Sequence, residues 1–158
     1  MSNQTDLVAL SQGDATGLTP LAGSVVQMVQ YYNASTSDEQ TSSTSYVASS
    51  ISKTITPKFS NSLIVVQTTI SMTDPIAGIL EAKIYLNGSA MPSAADYHLG
   101  YTQSARVRYA PFTNQVNYTC TTTDPLEFTV YYRVVSSGPV RITHPAASSA
   151  MTVWEIAQ

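Results

Sequence analysis

Apolar and polar residues alternate along most of the chain after residue 23, with the period of two that is typical of β-strands. The clearest runs are residues 126–135 and 80–86, in which every second side chain is apolar. Asn87 and Gly88 follow the second run, and such a pair suits the tight turn of a β-hairpin. No segment keeps the 3.6-residue period of an amphipathic helix. The pattern therefore predicts an all-β fold with antiparallel strands.

Further strand segments occur at the spacing expected of a β-sandwich or jelly roll of about eight strands. Residues 24–32 are apolar at both parities, which predicts a strand buried on both faces. A proline begins a predicted turn over residues 57–62, because proline cannot donate to a central ladder. In the last run, residues 150–157, we expect Trp154 and Ile156 to lie in the core. The remaining segments are a polar loop at 33–43 and strands at 45–56, 64–72, 105–109, 116–120 and 140–142.

Residues 1–22 differ in composition from the rest of the chain. They are mostly polar and contain one short apolar patch, formed by Leu7, Val8 and Leu10. One interpretation is a frayed terminus. The other is an extended arm that becomes ordered when its apolar patch docks on a partner. We divide the chain into an N-terminal anchoring arm, residues 1–22, and one β domain, residues 23–158.

The composition narrows the classes of partner. Charged residues make up only 11% of the chain, against roughly 25% in an ordinary globular domain. The net charge of −3 argues against a nucleic-acid partner. No apolar run approaches the roughly 20 residues of a membrane span, and the N-terminus lacks the basic and apolar blocks of a secretory signal. We expect no nucleic-acid or membrane partner, and synthesis in a cytoplasm.

No pattern of reactive residues indicates catalysis. His98 and His144 are far apart and neither belongs to a motif with zinc-ligand spacing. Asp38 and Glu39 are adjacent in a predicted loop, which does not suit a pair of carboxylates that face each other across a cleft. We expect no enzymatic activity, no metal and no cofactor. Cys120 continues an apolar alternation and is expected to be a buried free thiol.

Tyrosines and arginines provide the candidate partner-binding residues. Among ten tyrosines, Tyr31 and Tyr131 are each followed by another tyrosine, so one ring of each pair points outward from its strand. We select Tyr31 and Tyr131 as contacts for a subunit interface or a sugar-stacking platform; ordinary cross-strand packing is the alternative. Arg106 and Arg108 share a strand face, which either contacts an anion or a charged partner surface or is simply solvated.

Three segments together resemble a module of bacteriophage virion proteins. They are SVVQMVQYY, then TSSTSYVASSISKTITPKFSNSLIVV, and finally MTVWEIA. Members of this group open with a strand like VVQMVQ, continue into a turn that begins with Thr-Pro, and close with a strand that ends in Glu-Ile. Here Trp154, Glu155 and Ile156 match the closing motif. The resemblance covers residues 23–157 and is weakest over residues 74–114.

The resemblance implies a jelly-roll domain that forms homotrimers and serves in a virion. The short chain and its 22-residue arm favour a capsid decoration (cement) protein or a small head-fibre protein, bound through the arm to the major capsid protein or another virion protein. The alternative is a tail-fibre module that recognises host-surface glycans. A depolymerase enzyme and a cellular lectin-like or cytokine-like jelly roll are less favoured.

Overall fold

A computed structural model describes residues 20–33, 39–72, 79–91, 110–136, 139–143 and 148–158. All regular elements in these ranges are β-strands, which confirms the predicted all-β, antiparallel fold. The predicted arm patch and the predicted strand at 105–109 lie outside the described residues. The strands are β1 (Val25–Asn33), β2 (Glu39–Thr41), β3 (Val47–Ile55), β4 (Leu63–Met72), β5 (Ile79–Leu86), β6 (Ser89–Ala90), β7 (Ala110–Thr119), β8 (Leu126–Ser136), β9 (Val140–Thr143) and β10 (Ser149–Ile156).

The strands pair as one nested series. The first sheet has the order β1-β10-β4-β7, the second sheet has the order β3-β8-β5-β6, and β2 pairs with β9. The first strand therefore pairs with the last, β2 with β9, β3 with β8, β4 with β7, and β5 with β6. Every pair is antiparallel. The chain is thus a long hairpin whose two halves run side by side, and its tip is the turn between β5 and β6.

The tip of this hairpin has the conformation that its sequence predicts. Asn87 and Gly88 connect β5 to β6 with φ angles of 49° and 76°. Both angles lie in the left-handed region that a type I′ turn requires at its two central positions. The backbone N–H of Asn87 also donates to the carbonyl of Glu127 at 2.9 Å, which ties the tip to β8.

Inward side chains of both four-stranded sheets form one hydrophobic core. The predicted alternation is confirmed in β8, where Phe128, Val130 and Tyr132 are buried, and in β5, where Ala82 and Ile84 are buried. Because side chains alternate across a strand, the residues between them lie on the outer face of the second sheet. The core thus lies between the two four-stranded sheets, and each sheet has an outer face that points away from it.

Three expectations about the strands are wrong. The strand at β1 is not buried on both faces, because it is an edge strand and Met28 on its outer face is 56% exposed. Trp154 and Ile156 are only half-buried on the outer face of the first sheet, while Val153 and Glu155 point inward. The predicted polar loop at 33–43 contains the short strand β2, which the sequence does not distinguish from a loop because its three residues are all polar.

The turn between β3 and β4 carries the chain from the second sheet to the first. Its backbone is tied to Cys120 at the end of β7: the N–H of Asn61 donates to the Cys120 carbonyl at 2.8 Å, and the Cys120 N–H donates to the Ser62 carbonyl at 3.0 Å. Asn61 has a φ of 69°, a left-handed conformation that asparagine tolerates better than most residues. These bonds fix the turn against the first sheet.

The carboxylate of Glu155 accepts three further hydrogen bonds from this turn. The backbone N–H groups of Lys58 and Phe59 donate to it at 2.9 and 3.0 Å, and the Ser62 hydroxyl donates at 2.8 Å. The side-chain amide of Gln27 in β1 donates at 2.6 Å. Glu155 is fully buried. Its carboxylate therefore joins β1, β10 and the connection between the sheets.

Two opposing effects act on the pKa of Glu155. Burial raises it, because a low dielectric disfavours the charged form. The hydrogen bonds from Lys58, Gln27, Phe59 and Ser62 stabilise the carboxylate and outweigh burial, so the pKa of Glu155 is held below its ordinary value of 4.5. The group therefore remains ionised inside the protein, and its charge stabilises the fold.

We expect Glu155→Gln to lower the free energy of unfolding by about 3 kcal/mol at neutral pH, because the new amide directs N–H groups at backbone donors. The pKa of Glu155 is lower in the folded than in the unfolded state. Its contribution is therefore complete above the ordinary pKa and is lost as the pH falls through the folded value. Urea unfolding at a series of pH values measures both effects.

Glu127→Gln is the matched control, since Glu127 is an exposed carboxylate on β8. Its substitution should change the free energy of unfolding by no more than about 0.5 kcal/mol. Below the ordinary pKa, the stability of the wild-type protein should fall more steeply than that of Glu155→Gln. Equal slopes for the two proteins would show that Glu155 does not titrate as described.

Candidate functional site

Three tyrosines and two cations lie together on the outer face of the second sheet. This tyrosine cluster consists of Tyr46, Lys83, Tyr85, Tyr131 and Arg133. Lys83 and Tyr85 point outward from β5, Tyr131 and Arg133 point outward from β8, and Tyr46 directly precedes β3. Lys83 is the register partner of Tyr131, so the two outward rows of β5 and β8 lie side by side.

The rings and cations of the tyrosine cluster are in direct contact. Tyr85 and Tyr131 stack with their centroids 4.0 Å apart and their planes at 20°. Tyr46 lies 5.9 Å from Tyr85 in a tilted arrangement. The Nζ of Lys83 is 5.1 Å from the centroid of the Tyr46 ring, and the guanidinium carbon of Arg133 is 4.7 Å from it. Both distances are within the range of cation–π attraction.

An ion pair fixes the position of the cluster on the sheet. Arg133 Nε donates to Glu81 Oε2 at 2.5 Å, and the Glu81 side chain is only 3% exposed. Burial, and then the neighbouring Glu81 carboxylate, raise the pKa of Tyr46 to about 12. Tyr46 is therefore neutral at physiological pH. The hydrogen bond to Glu81 raises the pKa of Arg133, which remains a cation.

These properties suit the binding of a partner. The cluster offers partly exposed aromatic surface, hydroxyl groups and cationic groups at one place on a rigid sheet. Such a surface can stack on a sugar ring or an aromatic side chain and donate hydrogen bonds at the same time. Rings that are held by stacking lose little conformational entropy when a partner binds.

The outer face of the first sheet has the opposite character. Its side chains form four rows across the strands in the order β1, β10, β4 and β7, and none of the four rows contains a charged residue. We call it the uncharged face. The rows are Val25–Ile156–Leu63–Thr119, Met28–Trp154–Val65–Asn117, Gln30–Thr152–Gln67–Gln115 and Tyr32–Ala150–Thr69–Thr113.

Apolar and polar groups are segregated within the uncharged face. The first two rows are largely apolar, and Val25 and Met28 expose more than half of their surface. The other two rows carry amides and hydroxyls, some of which bond to one another, as Gln30 does to Thr152 and Thr69 to Thr113. A contiguous apolar patch with a polar border is typical of a protein-interaction surface.

The two predicted site residues that the structure describes, Tyr31 and Tyr131, lie in different environments. Tyr131 belongs to the tyrosine cluster, so it lies where a partner contact is possible. Tyr31 is half-buried against the core, and its hydroxyl lies 3.2 Å from that of Ser50. In that pair the exposed ring is Tyr32, at 64%. The expected contacts of Tyr31 and Tyr131 with a partner remain predictions, and the other predicted site residues, Leu7, Val8, Leu10, Arg106 and Arg108, lie outside the described residues.

Sequence reasoning missed Tyr46, Lys83 and Tyr85. A signal for two of them was present, because Lys83 and Tyr85 occupy the outward parity of a clearly alternating strand. What the sequence does not reveal is that β5 lies beside β8, which brings Tyr85 against Tyr131. Tyr46 lies at the start of the predicted strand at 45–56, and only the fold places it over the same face.

Other candidate chemistry is accounted for by packing. Cys120 is buried as expected, and burial raises the pKa of its thiol, which favours the protonated form. In the part of the chain that the structure describes, no three His, Cys, Asp or Glu residues are grouped as metal ligands would be. The described ranges also contain no helix of the length and apolarity that crossing a membrane requires.

Comparison with known proteins assigns no family to this chain. No protein-family model matches the sequence, and no curated protein matches it significantly. The functional argument therefore depends on the residues and the geometry described above.

We expect the stacked pair of the tyrosine cluster to be energetically coupled. In a double-mutant cycle with Tyr85→Ala and Tyr131→Ala, the coupling should be about 0.5–1.5 kcal/mol, as found for aromatic pairs. Urea unfolding of the four proteins measures it. A control cycle combines Tyr131→Ala with Tyr32→Ala, whose ring lies on the uncharged face. That pair should be additive within about 0.5 kcal/mol, and additivity in the first cycle would contradict the stacking.

Proposed function

We propose that this protein is a structural component of a bacteriophage virion, a capsid decoration (cement) protein or small head-fibre protein. In this proposal it forms a homotrimer and binds a capsid or other virion protein through its N-terminal arm. Its role is assembly, without catalysis or a cofactor. The proposal begins from the resemblance of three segments to virion modules and is supported by how those segments meet.

The meeting of those three segments at Glu155 is the observation that carries the proposal. Glu155 belongs to the closing Trp-Glu-Ile motif. Its carboxylate binds Gln27 in the opening strand and Lys58 and Phe59 in the Thr-Pro turn. Three motifs that are far apart in sequence thus serve one structural unit. A shared structural unit explains why the three motifs recur together, whereas unrelated similarities have no reason to converge.

The strand pairing supports a jelly-roll topology for the proposed virion domain. In a jelly roll, a long antiparallel hairpin rolls up so that its eight main strands form two four-stranded sheets. The nested pairs β1–β10, β3–β8, β4–β7 and β5–β6 fit that description, with β2–β9 as an additional short pair. Jelly rolls are found in viral capsid proteins, and also in lectins and cupins, so topology alone does not select a function.

The arm supplies the proposed attachment. Leu7, Val8 and Leu10 form its apolar patch, and the β domain begins directly after residue 22. In a trimer three arms act at once, so individually weak contacts combine through their high effective concentration. An apolar contact also depends little on ionic strength, because there are few charges for salt to screen.

We expect attachment to virions to require the arm. Purified full-length protein, added to phage particles that lack it, should co-sediment with them in many copies. The triple variant Leu7→Ser, Val8→Ser, Leu10→Ser should bind at least about tenfold more weakly, because three buried apolar side chains are lost. Quantitative co-sedimentation at two salt concentrations measures both binding and its salt dependence.

The matched control replaces polar arm residues, with Gln4→Ser and Gln12→Ser, and should bind as the wild type does. Deletion of residues 1–22 should abolish binding while leaving the unfolding transition of the β domain unchanged. If the full-length protein does not associate with particles, the virion role is wrong. If the deletion binds as well as the full chain, only the anchoring role of the arm is wrong.

The tyrosine cluster favours a second candidate function, a tail-fibre module that recognises host-surface glycans. Tyr85 and Tyr131 provide stacked aromatic surface, and Lys83 and Arg133 lie beside it. Aromatic rings next to cations suit sugars that carry carboxylate or phosphate groups. This function would place the same sandwich at a tail fibre rather than on a capsid.

If the protein binds glycans, the wild type should bind acidic host polysaccharide. The affinity of the Tyr131→Ala variant should be at least about tenfold lower, because the stacking surface is removed. Isothermal titration or glycan-array binding measures this. Tyr32→Ala, on the opposite outer face, is the control and should bind normally. Undetectable binding to acidic and neutral host glycans would remove this second candidate.

A further inference from the structure

We propose that the uncharged face is the surface through which copies of this chain associate with one another. This inference rests on the proposed function only in taking self-assembly as part of the protein's role. It identifies the outer face of β1-β10-β4-β7 as the subunit interface, with Trp154 near its centre. The partner to which it commits is a second copy of the chain.

The composition of the uncharged face has the signature of an interface core. Aromatic residues and methionine are enriched at such cores, whereas lysine, glutamate and aspartate are depleted. Trp154 has Met28 and Val65 as its cross-strand neighbours, and it is half-buried in the isolated chain. Tryptophan in such a position commonly contributes much of the binding energy of an interface.

The absence of charge from these rows favours a copy of the chain over other partners. Two molecules of net charge −3 repel each other, but none of the four rows of the uncharged face brings a charged group into the contact. The amides of Gln30, Gln67 and Gln115 both donate and accept, so they can bond to polar groups of a copy whichever parts of the two molecules meet. A charged partner would instead lose solvation at this face without gaining a counter-charge.

The size of the uncharged face is appropriate for a subunit contact. Four strands at a spacing of about 4.8 Å and eight residues at about 3.3 Å each give a flat area of roughly 500 Å². Side-chain relief and the surrounding turns increase the surface that a partner can cover. Stable interfaces bury about 800 Å² on each partner. A copy that covers the whole face and part of its border reaches that range.

The distribution of charge on the outer face of the second sheet also favours the uncharged face as the contact between copies. The outer face of the second sheet carries Lys83, Glu127 and Arg133, which are at least partly exposed. Groups such as these keep a surface hydrated and are depleted at interface cores. Of the two large outer faces, the uncharged face is therefore the one that loses least solvation on contact with a copy.

The only tryptophan of the chain lies on this face, which provides a direct test. Sedimentation velocity of the full chain over a wide concentration range should show a reversible or stable oligomer. Tryptophan emission should shift to shorter wavelength as the oligomer forms, because Trp154 leaves water. Emission that stays constant while the protein associates would overturn the proposal, since another face would then form the contact.

Two matched variants compare the outer faces. Met28→Lys places a charge on the uncharged face, and Val135→Lys places one on the outer face of β8; the native side chains are 56% and 48% exposed. Met28→Lys should raise the dissociation constant at least about tenfold, because the new charge would lose its solvation in a contact that offers no counter-charge. Val135→Lys should associate as the wild type does. An unchanged dissociation constant for Met28→Lys would overturn the proposal.

A second substitution guards against a folding defect. Gln30 is exposed and polar, so Gln30→Lys should keep the wild-type unfolding midpoint while weakening association as Met28→Lys does. A wild-type chain that is monomeric at all concentrations would also overturn the proposal. These measurements use the isolated protein, whereas the virion role is tested by binding to particles. Each can therefore fail without the other.

Discussion

The buried carboxylate of Glu155 connects the parts of the chain on which both sheets depend. It lies in the last strand and binds the first strand and the turn through which the chain crosses from one sheet to the other. An ion inside a protein costs several kcal/mol unless hydrogen bonds replace its hydration. Here two backbone N–H groups, an amide and a hydroxyl replace it, and the lowered pKa of Glu155 is the consequence. Without an acceptor at this point, the same partly buried backbone groups of the crossing turn would lose their hydrogen-bond partner, which is also costly.

Because the strands pair in a nested series, this connection joins parts of the chain that are far apart in sequence. Because β1 pairs with β10 and β3 with β8, most contacts join residues that are far apart in sequence. Such contacts require large loops to close before they stabilise the fold. The tip at Asn87 and Gly88 is local, whereas Glu155 acts only when both ends of the chain have met. The core and the Glu155 carboxylate thus depend on each other: the core excludes water from the ion, and the ion holds the strands that enclose the core.

Much of the secondary structure could be predicted from the sequence because alternation depends only on neighbouring residues. In β8 and β5 one parity is apolar throughout, and the structure buries that parity. In β10 both sets of alternating side chains contain apolar residues and could face the core. Hydrophobicity alone favours the set that contains Trp154 and Ile156. The other set points inward because Glu155 is required by the crossing turn, a long-range requirement that the sequence of β10 alone does not contain.

The tyrosine cluster was only partly predictable for the same reason: Tyr131 was recognisable on its own strand, but its stacking on Tyr85 depends on which strands are neighbours.

The outward position of Trp154 has a consequence for the surface. A folded chain that needs Glu155 inside must present the neighbouring Trp154 outside, because adjacent residues of a strand point to opposite faces. Met28 and Val65 surround this ring, so the first sheet carries an apolar patch that water solvates poorly. With only 11% charged residues, the chain has few groups with which to protect such a patch, and those on the two outer faces lie on the second sheet. An exposed patch of this kind is typical of interaction surfaces, and under the proposed self-association the one-sided placement of charge would favour contact through this face. The demand for a buried carboxylate in the core therefore also determines which apolar side chains the first sheet exposes.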